Sequence, residues 1–101
     1  MDVPAATLVA DYRANEVAAD EKYKGKLLRV TGTVDSIDKD FMDDIVVRIK
    51  SDNMFMSIMA NVDDSEKSAA ARLAKGGPVT VVCEGGGLIV GSPVLNDCTI
   101  E

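Results

Sequence analysis

Asp35, Asp38, Asp40, Asp43 and Asp44 crowd around Lys39 and Phe41, and alternating carboxylates are the hard oxygen ligands that calcium takes. An EF-hand is excluded: the run has no glycine for the sharp turn and no closing Glu at the spacing that motif needs. A looser calcium site is a weaker reading than a solubilising loop. Two carboxylates can also work as acid and base on a glycoside, but a chain of 10.7 kDa offers little cleft to hold a sugar and exclude water. The sequence contains no histidine. That removes Ser-His-Asp and Cys-His nucleophile activation, and with them His-containing zinc sites. Neither an enzyme, a metal nor a cofactor is expected.

A second set of side chains points to binding. Arg29, Thr31 and Thr33, then Arg48 and Lys50, then Phe55, Ser57, Met59 and Asn61 alternate with apolar neighbours and share outward faces of successive strands. Single-stranded nucleic acid is held by a cationic groove and aromatic platforms, each stacked base worth roughly 1–3 kcal/mol. Here the set supplies three cations and a single ring, and the chain has only 2 Tyr, 2 Phe and no Trp. A solvated sheet face is therefore the plainer reading of these residues, with nucleic-acid binding second.

Gly85-Gly86-Gly87 lacks the Gly-Lys-Ser/Thr ending and the following helix of a phosphate loop, so its backbone donors do not converge. It reads as a flexible hairpin loop. Leu88, Ile89 and Val90 come next, and three adjacent apolar residues cannot all point inward. They either fold over the end of the domain, the favoured reading, or form an exposed patch for a partner. Cys83 shares a face with Val79 and Val81, and Cys98 with Val94 and Ile100. On neighbouring strands, directly opposed residues have disulfide spacing. In an oxidising compartment they would bond; in a reducing one they would be packed thiols.

Composition sets the frame for these groups. The chain has 101 residues, 47% of them hydrophobic and 28% charged, which is a globular balance sized for one domain spanning 1–101. Eleven basic residues against 17 acidic ones give a net charge of -6, so any nucleic-acid contact must come from a local basic patch. No apolar run approaches the roughly 20 residues of a membrane span. No leader pattern opens the sequence, and Met1-Asp2 fits either a truncated precursor or a native start.

The elements follow from periodicity. Pro4 to about Lys24 reads as helix, with Pro4 at the first turn and Ala5, Leu8, Val9, Tyr12 and Ala19 on one stripe. Asn15 is placed to break it and cap a new turn at Glu16. After Gly25 the period becomes two, with Leu28, Val30, Gly32 and Val34 facing inward on a first strand. Gly32 marks a bend where that strand curls. Ser36–Asp44 reads as an acidic loop, Asp44–Ser51 as the second strand, Ser51-Asp52-Asn53 as a turn, and Met54–Val62 as the third strand. Asp63 with Glu66 suggests a capping box that opens a helix of about three turns, closed by Lys75 and Gly76. Val79–Glu84 and Val94–Ile100 complete a hairpin.

Three meandering strands, a short helix and a hairpin are the element order of an OB-fold, a five-stranded Greek-key barrel. The expectation is a mostly β domain with two helices: an N-terminal helical segment over 1–24, the barrel over 25–101, and a helix between strands three and four.

The run Tyr12–Lys26 (YRANEVAADEKYKGK), Val30-Thr31-Gly32, Ser36-Ile37, Lys75-Gly76-Gly77 before Val79-Thr80-Val81, and Asn96–Ile100 resemble the tRNA_anti-like OB-fold proteins. The resemblance covers nearly the whole chain. It implies a small bacterial OB-fold domain with an added N-terminal helix, often exported or lipoprotein-like and described as nucleic-acid-binding. It favours a periplasmic or lipid-anchored location over a cytoplasmic one. In an exported protein the Cys83–Cys98 bond is expected, closing a loop of about 15 residues and worth roughly 3 kcal/mol. The function expected is a non-enzymatic binding module. Its ligand set is Arg29, Thr31, Arg48, Lys50, Phe55, Ser57 and Asn61, with a partner patch at Leu88, Ile89 and Val90. The alternative is an acidic protein–protein or inhibitor module with no nucleic-acid ligand.

Overall fold

The computed structural model describes residues 1–51 and 56–101. Asp52 and Asn53 of the expected turn, Met54 at the head of the expected third strand, and Phe55 lie outside the described residues.

The N-terminal helical segment is two helices, α1 (Ala5–Ala14) and α2 (Glu16–Tyr23). Asn15 separates them with an extended backbone, and its side-chain oxygen accepts the Ala18 N–H at 3.0 Å. That is the capping role its type favours. Ala5, Leu8, Val9, Tyr12 and Ala19 are all buried and join the core of the barrel. No helix among the described residues is long and apolar enough to cross a membrane.

A short strand precedes these helices. β1 (Asp2–Pro4) lies parallel to β2 (Leu27–Lys39), with Asp2 opposite Arg29 and Pro4 opposite Thr31. Three residues carry no readable alternation, so nothing in the local sequence announces it.

The long strand β2 organises the barrel. Residues 27–33 pair with β5 (Pro78–Ile89), and residues 33–39 pair with β3 (Ile45–Lys50). β3 continues to β4 (Ser57–Val62), β4 runs parallel to β6 (Ser92–Ile100), and β6 pairs with β5. The sheet therefore closes on itself as a five-stranded barrel with β1 as an added strand. To serve both neighbours, β2 must curl. A Cβ on Gly32 would stand 2.5 Å from Ile49 Cγ2 and 3.0 Å from Ala5 Cβ, so only glycine allows the curl at that contact. A bulge between Val34 and Ser36 completes it.

Three expectations need correction. Ser36–Lys39 is strand, not loop: past the bulge Ile37 packs against the core, and only the stretch 40–44 turns. Gly85-Gly86-Gly87 lies within β5, and the hairpin turns at Val90-Gly91. A Cβ on Gly85 would fall on the Tyr23 carbonyl oxygen and one on Gly86 would stand 3.0 Å from Val94 O, so these glycines serve close packing against backbone, not flexibility. The third helix is short, a 3-10 turn over Asp64–Glu66 and then α3 (Lys67–Ala71). Asp63 accepts the Ser65 N–H, but Glu66 does not close a capping box; its carboxylate takes the Ile100 N–H at 2.7 Å. Beyond α3 the backbone is drawn to β2, where Gly76 N–H donates to Val34 O and Val34 N–H to Gly77 O, each at 2.8 Å. Tertiary pairing outcompetes further helix.

Candidate ligand-binding face

On β3, buried Val47 and Ile49 alternate with outward Arg48 and Lys50. The β4 register sets Lys50 opposite Ser57, Arg48 opposite Met59 and Val46 opposite Asn61. Antiparallel pairing thus collects Arg48, Lys50, Ser57, Met59 and Asn61 on one outer face, as neighbours about 5 Å apart across the strands. Val46, at the end of the outward row, is itself buried.

Arg29 and Thr31 do not join that group. They lie on the half of β2 held between β1 and β5, and Arg29 is four residues, or about 13 Å, from Thr33, which faces Lys50. The Arg29 guanidinium grips Glu101 with two hydrogen bonds, Nε–Oε2 at 2.7 Å and Nη2–Oε1 at 3.1 Å, and reaches Asp2 at 3.4 Å. Arg29 holds the Glu101 carboxyl below its usual range. Its charge ties the two ends of the chain together. Arg48 stands 3.6 Å from Asp38, in a partly exposed pair. Among the described residues no carboxylate pairs with Lys50. Phe55, the expected stacking ring, is outside the described residues.

The expected partner patch divides. Leu88 packs on the core, whereas Ile89 is 57% and Val90 fully exposed at the hairpin tip. Folding over the barrel end therefore holds for Leu88 alone. Val90 adopts φ 50°, a left-handed backbone that is unusual for a β-branched residue.

The acidic run is also dispersed. Asp38 is engaged by Arg48 and by the Ser36 hydroxyl at 2.6 Å. Asp40 accepts the Met42 and Asp44 N–H groups at 2.9 and 3.0 Å, building its own turn. Lys39 lies 3.0 Å from Asp43 and holds that carboxyl below its usual range. Among the described residues no three metal-ligating side chains form a group that could hold an ion.

Sequence reasoning missed an open recess of about 610 Å³ beside Asn61. Asp40, Asp44, Asp63 and Asp64 line it together with Asn96 and Asp97. The last two arrive there by a bulge. Leu95 pairs with Ala60 and Cys98 with Val62, so Asn96 and Asp97 together oppose Asn61 alone. Asp97 takes φ 52°, and both residues face solvent between buried Leu95 and Cys98. Asn61 Nδ2 donates to Asn96 Oδ1 at 3.1 Å across the bulge. Behind it Cys98 is disulfide-bonded to Cys83, with Cα atoms 4.2 Å apart and both residues fully buried. An inward Cys fourteen residues beyond Glu84 gave no sign of the bulge, because it depends on two partner strands at once.

Known structures share this architecture. A "putative nucleic acid-binding lipoprotein" from Klebsiella pneumoniae subsp. pneumoniae MGH 78578 superposes with a TM-score of 0.83 at 17% identity, covering 100% of this chain and 91% of that one. OBody AM3L09 bound to hen egg-white lysozyme gives 0.54 at 15% identity over 78% of this chain and 84% of that one. OBody AM1L10, also bound to lysozyme, gives 0.54 at 17% identity over 79% and 83%. No curated protein matches the chain. The family model for tRNA_anti-like proteins spans residues 1–99, nearly the full length with its helices and every barrel strand, and this chain belongs to the tRNA_anti-like family.

Proposed function

We propose that this protein is a non-enzymatic binding module whose working surface is the outer face of β3 and β4, with single-stranded nucleic acid as its ligand. The observation that carries the reading is the convergence of Arg48, Lys50, Ser57 and Asn61 on a face left outside the core by barrel closure. Cations and small hydroxyl or amide side chains are the groups that contact a nucleic-acid backbone. Likeness over the whole chain to a "putative nucleic acid-binding lipoprotein" supports the same ligand class. The buried Cys83–Cys98 bond supports residence in an oxidising compartment, hence export. Amide NMR during titration with a short oligothymidylate at low salt tests the ligand. Saturable shifts around Arg48, Lys50 and Ser57 are expected, and a flat titration sinks the reading.

A second reading has its own observation. The carboxylates of Asp40, Asp44, Asp63, Asp64 and Asp97 border the same surface and repel phosphate, while a protein with a basic surface would complement them. The OBodies bound to lysozyme support an OB barrel as a protein-binding scaffold. Titration with a lysine-rich peptide separates the two: shifts at Asn61, Asp63 and Asp97, with none from the oligonucleotide, favour the protein partner.

A further inference from the structure

The crossing point of β2, where it leaves β5 and takes up β3, carries cations on both of its edges. On one edge Lys50 stands opposite Thr33. On the other, Gly76 and Gly77 exchange backbone hydrogen bonds with Val34, and Lys75 precedes them in the turn that Gly77 N–H closes on Ala74 O. With strands about 4.8 Å apart, the backbones of Lys50 and of Gly76–Gly77 lie roughly 10 Å from one another across β2, and Lys75 adjoins Gly76. Both lysines are exposed. Neither enters an ion pair among the described residues, whereas Lys22, Arg29 and Lys39 each hold a carboxylate. Arg48 follows along β3 opposite Ser36, and its 3.6 Å contact with Asp38 is an exposed pair of the kind that exchanges readily.

We propose that this crossing is a track for a phosphate backbone, with Lys50 and Lys75 meeting phosphates on the two sides of β2 and Arg48 leading on to the β3–β4 face. The inference rests on the nucleic-acid reading for the source of those phosphates, and it adds a surface, the segment between α3 and β5, that lies outside the face described above. Thr33, opposite Lys50 on β2, carries a hydroxyl suited to a phosphate oxygen. Asp35, at the bulge just beyond Val34, opposes the track, so its neutralisation should strengthen binding.

The test compares the native protein with the double variant Lys50→Glu/Lys75→Glu, using twelve-residue oligothymidylate and, separately, inorganic tripolyphosphate. In the native protein both probes are expected to shift the amides of Thr33, Lys50, Gly76 and Gly77. In the double variant, affinity for the oligonucleotide should fall at least about tenfold. The slope of log K against log salt should shrink by about 1.4, since each single-strand phosphate contact contributes about 0.7. Lys50→Arg/Lys75→Arg should retain binding, and Asp35→Asn should tighten it. Oligonucleotide binding with an unchanged slope in the double variant overturns the track and leaves the nucleic-acid reading standing. A response to tripolyphosphate alone, abolished in the double variant, keeps the phosphate site and overturns its nucleic-acid source. Silence of these amides toward both probes overturns the inference outright.

Discussion

Tyr12 and Tyr23 stand with ring centroids 6.2 Å apart, each donating its hydroxyl to an aspartate on the other's helix. Tyr12 reaches Asp20 at 2.9 Å, and Tyr23 reaches Asp11. Lys22 adds a contact to Asp11 at 3.4 Å and lies over the Tyr23 ring. The helices on either side of Asn15 are thus clasped twice, with both rings buried against the barrel. Neither helix is long enough to persist alone in water, so the clasp and the buried stripe together set their geometry.

Removing one hydroxyl should loosen the clasp in a pH-dependent way. A hydrogen bond to a charged group contributes roughly 1–2 kcal/mol after allowance for partial exposure, and Tyr23→Phe should cost about that in urea unfolding with an unchanged m-value. The Tyr23 hydroxyl holds the Asp11 carboxyl below its ordinary 3.8, so this stabilisation is complete above that value and fades as pH falls through the lowered one. Burial and then the Asp11 contact raise the Tyr23 hydroxyl above 10.0, so it also fades as pH rises past that value. The gap between native and variant stability should be widest between these limits and narrow on both sides. A gap constant with pH would show that Asp11 is not the partner.

Gly85 should tolerate substitution least among the hairpin glycines. A Cβ there would fall on the Tyr23 carbonyl oxygen, a backbone atom that cannot swing away. The same residue exchanges backbone hydrogen bonds with Gly25 and Lys26 at 2.9 Å. Gly85→Ala should therefore cost about 3 kcal/mol or more, at or above the upper range for overpacking. Gly91 has open space around it, and only its φ of 78° disfavours a side chain. Gly91→Ala should cost about 1 kcal/mol. Thermal melts of the two variants check the ranking.

The disulfide is expected to brace both stability and the acidic recess. With a sequence separation of 15 residues, its loss should cost about 3 kcal/mol. Cys98 also closes the bulge that turns Asn96 and Asp97 outward. Reduction should add the mass of two hydrogens and shift the amides of Asn61, Asn96 and Asp97 well before global unfolding. Shifts spread evenly over the barrel would refute the local coupling.

What the sequence made legible was whatever local pattern alone decides. Period-two alternation located the apolar rows of β2, β3 and β4, and the Asn15 cap and the Gly32 bend are local chemistry at a single residue. The misses share a different cause. β1 exists because β2 has an open edge at Arg29–Thr31, and the third helix ends early because Val34 competes for Gly76 and Gly77. The glycine run reads as a loop until the Tyr23 and Val94 carbonyls are seen to crowd the places of side chains at Gly85 and Gly86. The proposed ligand face follows the same division. Arg48, Lys50, Ser57 and Asn61 were placed by alternation, whereas Arg29 faced outward as expected and yet belongs to Glu101, seventy-two residues away.

That pairing makes Arg29 the informative control for the proposed ligand face. Its guanidinium already meets two carboxylates, and about 13 Å of β2 separates it from the position facing Lys50. A phosphate would have to displace Glu101 from a two-hydrogen-bond grip to engage it. Arg29→Ala should leave oligonucleotide affinity and its salt slope unchanged, while freeing Glu101 to titrate at a higher pH than in the native protein, since Arg29 is what holds that carboxyl low. Carboxyl-detected NMR reads the second effect and salt-dependent titration the first. A slope reduced by about 0.7 in Arg29→Ala would mean that Arg29 releases Glu101 to bind phosphate, and would extend the working surface to the edge where β1 meets β2.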